Sequence, residues 1–168
     1  MQGIKVLAIL IAAAAEALAE SGSRRIVVSI PDRKVALFEN GRLVKIYPIA
    51  VGKETTPSPT GSFHISSRII EPTWYHPGKV VGPGPANPLG TRWMSLGYKG
   101  YGIHGTNRPN SIGKAASHGC IRMRNKDVED LFARVSIGDP VDLVTELDSE
   151  LAKLFDASTS SASVGDGQ

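Results

Sequence analysis

Ser117-His118-Gly119-Cys120-Ile121-Arg122 holds the only cysteine in the chain, and His104 stands sixteen residues before it in Ile103-His104-Gly105-Thr106-Asn107. A thiol attacks as thiolate, and an ordinary one is only slightly ionised at neutral pH, so a working cysteine needs a base or a positive field beside it. Two histidines and Arg122 are candidates to supply both. Gly119 leaves the backbone next to Cys120 without a Cβ, so the N–H groups of Gly119 and Cys120 can point at a developing oxyanion. These are the parts of an acyl-transfer site. A plain buried cysteine is the alternative, since free cysteines are among the most buried residues, but the histidines around Cys120 favour a nucleophile.

The same residues resemble a known family. His104-Gly105-Thr106-Asn107, followed by Ser117-His118-Gly119-Cys120-Ile121-Arg122-Met123, is similar to the signature of the L,D-transpeptidases of the YkuD or ErfK type. The resemblance runs from about Arg25 to Val144. It takes in a Thr-Pro-x-Gly-x-Phe element, which here reads Thr60-Gly61-Ser62-Phe63 after Pro57-Ser58-Pro59. The commonest family pattern has asparagine two places after the cysteine, and Arg122 instead matches a sub-branch with Gly-Cys-Ile-Arg. The resemblance implies a compact, mainly β domain of sandwich or barrel-like form, with one bracing helix after the cysteine motif. It also implies peptidoglycan stem peptides as acyl donors, Cys120 as nucleophile, the Gly105 backbone carbonyl as the partner of His104, acylation by carbapenems, and no cofactor. An L,D-carboxypeptidase using water as acceptor and a non-catalytic envelope-binding module are the alternatives.

At 168 residues the chain has room for one domain of common size. Lys5, the apolar run Val6 to Ala15 and the small-x-small triplet Ala17-Leu18-Ala19 together read as a secretory leader over residues 1–19, which places the protein in the periplasm or cell envelope. An N-terminal helix and an uncleaved anchor are the other readings. Loss of Lys5 and Glu16 with the leader keeps the net charge of +3, too mild and too scattered to indicate nucleic acid. The single cysteine excludes an internal disulfide framework.

Short apolar runs cut by turn residues predict strands from Arg25 onward. Asn40-Gly41 between Lys34–Glu39 and Arg42–Tyr47 predicts a tight hairpin. Phe63–Ser67, Trp93–Leu96, Tyr101–His104 and Val141–Val144 are further strand candidates. Between Pro72 and Gly90, proline and glycine are dense enough to predict a long loop without ladder pairing, whose Trp74, Tyr75 and His76 offer a flat gripping face. Val128, Leu131, Phe132 and Val135 recur at helical spacing behind Asn125, a suitable N-cap, so a helix is predicted to brace the cysteine loop and to end before Gly138. Residues 145–168 read as a short helical stretch and then, after Leu151, a Ser- and Gly-rich tail expected to be disordered.

Among the site candidates, His104 follows an apolar strand end and precedes Gly105, where a side chain can face a cleft; it is taken as the general base. No acidic residue is close in sequence to set its tautomer, hence the expectation of a carbonyl partner. His118 is assigned a supporting role, either hydrogen-bonding the loop into shape or moving protons directly. Arg122, two residues beyond Cys120, shares its face along a strand and offers a fork for a carboxylate; the alternative is a surface pair with Asp127 or Asp130. Ser117, Asn107 and Trp74 complete the candidate substrate contacts. Zinc is disfavoured because only His118 and Cys120 form a close ligand pair, and a papain-like peptidase because there the cysteine precedes the histidine.

Overall fold

The structure is a computed structural model that describes residues 22–162; the expected leader and the last six residues lie outside them. Among the described residues no helix is long and apolar enough to cross a membrane. The fold is mainly β. One five-stranded sheet has the order β3-β2-β1-β13-β5, built from β1 (Arg24–Ser29), β2 (Lys34–Glu39), β3 (Arg42–Pro48), β13 (Pro140–Val144) and β5 (Gly61–His64). The second has the order β12-β10-β9-β6, from β12 (Ile121–Arg122), β10 (Gly102–His104), β9 (Arg92–Ser95) and β6 (Ser67–Ile70), and the short strands β4 (Val51–Gly52) and β11 (Ala115–Ser117) pair in parallel.

The hairpin at Asn40-Gly41 forms as predicted, with φ of 52° and 72° at the two residues, the paired positive angles of the turn that matches strand twist. The predicted strand Phe63–Ser67 is instead divided. β5 ends at His64, Ile65 is buried, and β6 starts at Ser67, so the chain passes from one sheet to the other across Ile65-Ser66. The inner faces of both sheets meet in one core that includes Ile26, Val28, Leu37, Met94, Ile103 and Ile121. The helix α1 (Asn125–Arg134) closes this core with Val128 and Leu131.

Three further expectations are corrected. The Pro72–Gly90 segment contains a two-stranded ladder of β7 (Trp74–His76) and β8 (Lys79–Val81). Pro77 and Gly78 (φ 76°) occupy the central positions of its turn, where proline fixes one angle and glycine permits the other, so these two residues nucleate the ladder they were expected to block. Asn125 is the first residue of α1 and not its cap. Arg124 holds the cap position, where its guanidinium has no acceptor to offer the first N–H groups, and the Asn125 carboxamide is turned to the loops beside it.

Finally, a second helix, α2 (Ser149–Ala162), occupies much of the tail expected to be disordered. Asp148 Oδ1 accepts the N–H groups of Glu150 and Leu151 at 3.0 and 2.8 Å and so caps it. Leu147, Leu151 and Phe155 follow at a spacing of four and pack on Val27, Ala36 and Phe38, the outer face of the five-stranded sheet. Phe155→Ala is expected to cost about 3 kcal/mol, read as a lower urea midpoint. An unchanged midpoint would mean that the helix does not seal that face.

Candidate active site

The cysteine and the histidine are brought together by two parallel neighbouring strands. β10 ends at His104 and β12 begins one residue after Cys120, with Ile103 opposite Ile121 and His104 opposite Arg122. Met123 N–H donates to His104 O at 2.8 Å, and Ala50 and Arg122 exchange backbone hydrogen bonds at 2.8 and 2.9 Å on the other side. A cleft of about 390 Å³ opens over these strand ends. Trp74, Lys79, His104, Asn107, Arg108, Ser117, His118, Cys120 and Arg122 all contribute to its walls.

His104 is buried, and its Nδ1 donates to Gly105 O at 2.5 Å, as expected for a carbonyl partner. That bond leaves Nε2 as the basic nitrogen. Trp93, the register partner of His104 on β9, stacks on the imidazole at 5.5 Å between centroids and 27° between planes. Burial, reinforced by the Arg122 charge, lowers the His104 pKa to about 4 against the opposing pull of the Gly105 and Leu89 backbones. Burial also pushes the Cys120 thiol up, with a backbone contact at Gly102 and the Arg122 charge acting the other way. Both directions favour the neutral forms, thiol and imidazole.

The turn that presents Cys120 is shaped by Ser117. Its buried hydroxyl donates to Cys120 O at 2.6 Å and accepts the Gly119 N–H at 3.0 Å. Two expectations change in consequence. The Ser117 hydroxyl is committed to the turn while the residue still contributes to the cleft wall, and the Gly119 N–H is already engaged and not free to serve an oxyanion. Among the described residues the Cys120 N–H has no intramolecular acceptor and stays available. Gly119 (φ 113°) has to be glycine for a second reason: a Cβ there would overlap the Tyr101 ring and crowd Pro57 O at 3.2 Å. The Pro57-Ser58-Pro59 element thus backs the cysteine turn, held by the Gly52 N–H bond to Ser58 Oγ at 2.9 Å.

The remaining candidates divide. His118 is exposed on the cleft wall and makes no hydrogen bond among the described residues, so it does not shape the loop; Ser117 does. Asn107 lines the cleft while its Nδ2 donates to Ala86 O at 3.0 Å, tying the histidine loop to the proline-rich segment. Trp74 lines the cleft and His76 stacks on it at 5.2 Å. Tyr75, on the opposite face of the strand, is 75% exposed, so the gripping face is Trp74 alone. Arg122 is free of the surface pairs considered for it, because Asp127 pairs with Arg124 and Asp130 with Lys45 and Arg134. Lys79, Arg108 and Arg122 give the cleft three cations, and no carboxylate is among its lining residues. The sequence reading missed Trp93 and the Asn125 carboxamide. An aromatic in the strand next to the histidine strand was the only signal for Trp93, and none marked the carboxamide's direction.

The chain belongs to the L,D-transpeptidase catalytic domain family (YkuD), whose model matches residues 23–143. It is similar to the putative L,D-transpeptidase YkuD of Bacillus licheniformis, at 48% identity over 119 residues, covering 71% of this chain and 64% of that protein. In its fold it resembles a solved Enterococcus faecium L,D-transpeptidase, with a TM-score of 0.63 at 25% identity, covering 73% of this chain and 50% of that one. It also resembles the L,D-transpeptidase LdtMt1 in complex with imipenem, with a TM-score of 0.62 at 25% identity, covering 73% and 59%. The chain therefore spans less than two thirds of these proteins' own lengths.

Proposed function

We propose that the protein is a peptidoglycan L,D-transpeptidase that works through a thioester on Cys120. The observation that carries this reading is the 2.5 Å bond from His104 Nδ1 to Gly105 O, which fixes the tautomer and leaves the basic Nε2 on a side chain sharing the cleft with the only cysteine. His104 takes the thiol proton as the sulfur attacks the peptide carbonyl on the L-centre at the third position of a stem tetrapeptide. Cys120 N–H stabilises the oxyanion, a contribution of about 3 kcal/mol for one well-placed donor. His104 then returns the proton to the leaving D-alanine amine. An acceptor amine attacks the thioester, loses its proton to His104, and expels the sulfur, which takes the proton back.

Stem peptides are rich in carboxylates, and the three cations of the cleft suit them. In this reading the leader of residues 1–19 exports the domain to the cell envelope. There no ATP activates a carboxylate, so the energy of the old amide has to pass through a covalent intermediate. The likeness to an imipenem complex supports carbapenems as ligands of the same cleft. Mass spectrometry of muropeptides after incubation with the purified protein tests the reaction. Cross-linked dimers or exchanged terminal residues are expected; shortened stems alone would make it a carboxypeptidase.

Arg122 is half-buried beside Cys120 without a carboxylate partner among the described residues. Its fork suits bidentate binding of a donor carboxylate, whereas a field effect on the thiol needs only charge. Arg122→Lys is therefore expected to lose activity on the tetrapeptide while Cys120 alkylation stays normal. Full tetrapeptide activity in this variant would assign Arg122 to the field instead.

A further inference from the structure

The partner of His104 is itself held from behind. The Gly105 carbonyl that accepts from His104 Nδ1 belongs to the same peptide unit as the Thr106 N–H, and that N–H donates to Asn125 Oδ1 at 3.1 Å. The same oxygen accepts the Thr91 N–H at 3.4 Å. Both neighbours are donors, so the carboxamide presents its oxygen and not its nitrogen to the two loops. Space is made for it on both sides by glycine: a Cβ at Gly90 or at Gly105 would overlap Asn125 Oδ1. One turn further along α1, Glu129 Oε1 accepts the Thr91 hydroxyl at 2.6 Å, so the helix grips this segment twice.

We propose that Asn125 is a positioning residue for the general base, acting through the Gly105–Thr106 peptide as a neutral counterpart of the carboxylate in a Cys-His-Asp triad. The proposal rests on the assignment of His104 as base. Hydrogen bonds in a chain polarise one another, so an acceptor on the peptide N–H strengthens the carbonyl at its other end. A stronger carbonyl holds the Nδ1–H tautomer, and with it the basic Nε2, in place. The anchoring is rigid because Asn125 is the first residue of a helix whose Val128 and Leu131 are fully buried. A backbone acceptor alone would leave the Gly105–Thr106 peptide free to rotate in a loop. Asn125 instead binds that peptide's N–H from a packed element. Among the described residues that line the cleft none is a carboxylate, so the imidazole is not drawn into a resting ion pair there.

Nitrogen-15 NMR of the His104 ring in the free protein tests this without substrate. In the unsubstituted protein one tautomer, protonated at Nδ1, is expected with a downfield Nδ1–H. Asn125→Asp keeps the acceptor and adds charge, so the Nδ1–H signal should move further downfield with the same tautomer. Asn125→Ala should move it upfield and mix the tautomers, and should lower kcat about tenfold or more while KM changes little. A Nδ1–H signal unchanged in Asn125→Asp overturns the proposal, even if the alanine variant fails to fold. So does a folded alanine variant with the original tautomer and shift. Failure of the functional reading looks different: the ring signals would respond to Asn125 as described, and no muropeptide would be altered by any form of the protein.

Discussion

Cys120→Ala is expected to abolish acyl transfer to below detection and to leave the fold in place. The thiol is the only sulfur nucleophile the chain possesses, and no other side chain in the cleft can form an acyl intermediate of comparable reactivity beside His104. The structural cost is small, because Cys120 is only partly buried and its Sγ makes only weak backbone contacts, such as 3.9 Å to Gly100 O. A change within about 1 kcal/mol is therefore expected in a thermal or urea melt. Intact-protein mass spectrometry gives an independent readout: a carbapenem should add one adduct to the unsubstituted protein and none to the variant. Residual turnover above a trace, or an adduct on the variant, would remove Cys120 from the reaction.

His104→Gln is expected to slow acylation by about a hundredfold or more, and it makes a second prediction that needs no substrate. The imidazole has a folded pKa of about 4 against an ordinary value of 6.5, so between those values the unfolded chain binds more protons than the folded one. Stability contributed by this residue is complete above about pH 6.5, falls as the pH drops toward 4, and is flat below. At 1.36 kcal/mol per unit the span amounts to about 3 kcal/mol. Urea melts at pH 7 and at pH 4.5 should therefore differ by less in His104→Gln than in the unsubstituted protein. Equal differences would show that His104 is protonated without cost in the folded state. The same low pKa sets the acid limb of kcat/KM near pH 4 and not near 6.5.

Much of this was legible in the sequence because it is local. Asn40-Gly41 writes its own turn, and His104 and Cys120 stand out as candidates by residue type alone. What was hidden depends on partners distant in the chain. That Ser117 takes up the Gly119 N–H becomes visible only when the turn closes on itself. Asn125 looks like a cap from its neighbours, and its true partners, Thr91 and Thr106, belong to other segments. Leu147, Leu151 and Phe155 have little meaning as a pattern until Val27, Ala36 and Phe38 are found on a sheet face that needs cover. The β7–β8 ladder is hidden for a different reason: proline, a breaker of pairing within a strand, sits here at the turn between two strands.

The parallel pairing of β1 with β13 has a consequence for how the molecule comes into being. Ile26 lies opposite Val141 and Ser29 opposite Val144, so the first strand finds its second neighbour only when nearly the whole domain has been made. The neighbour on the other side, β2, is close in sequence and pairs antiparallel with β1 over its whole length. Closing the long loop to β13 is slow and rewards the chain only at the end. Pairing over so long a stretch of chain is expected to make refolding from urea slow for a domain of this size.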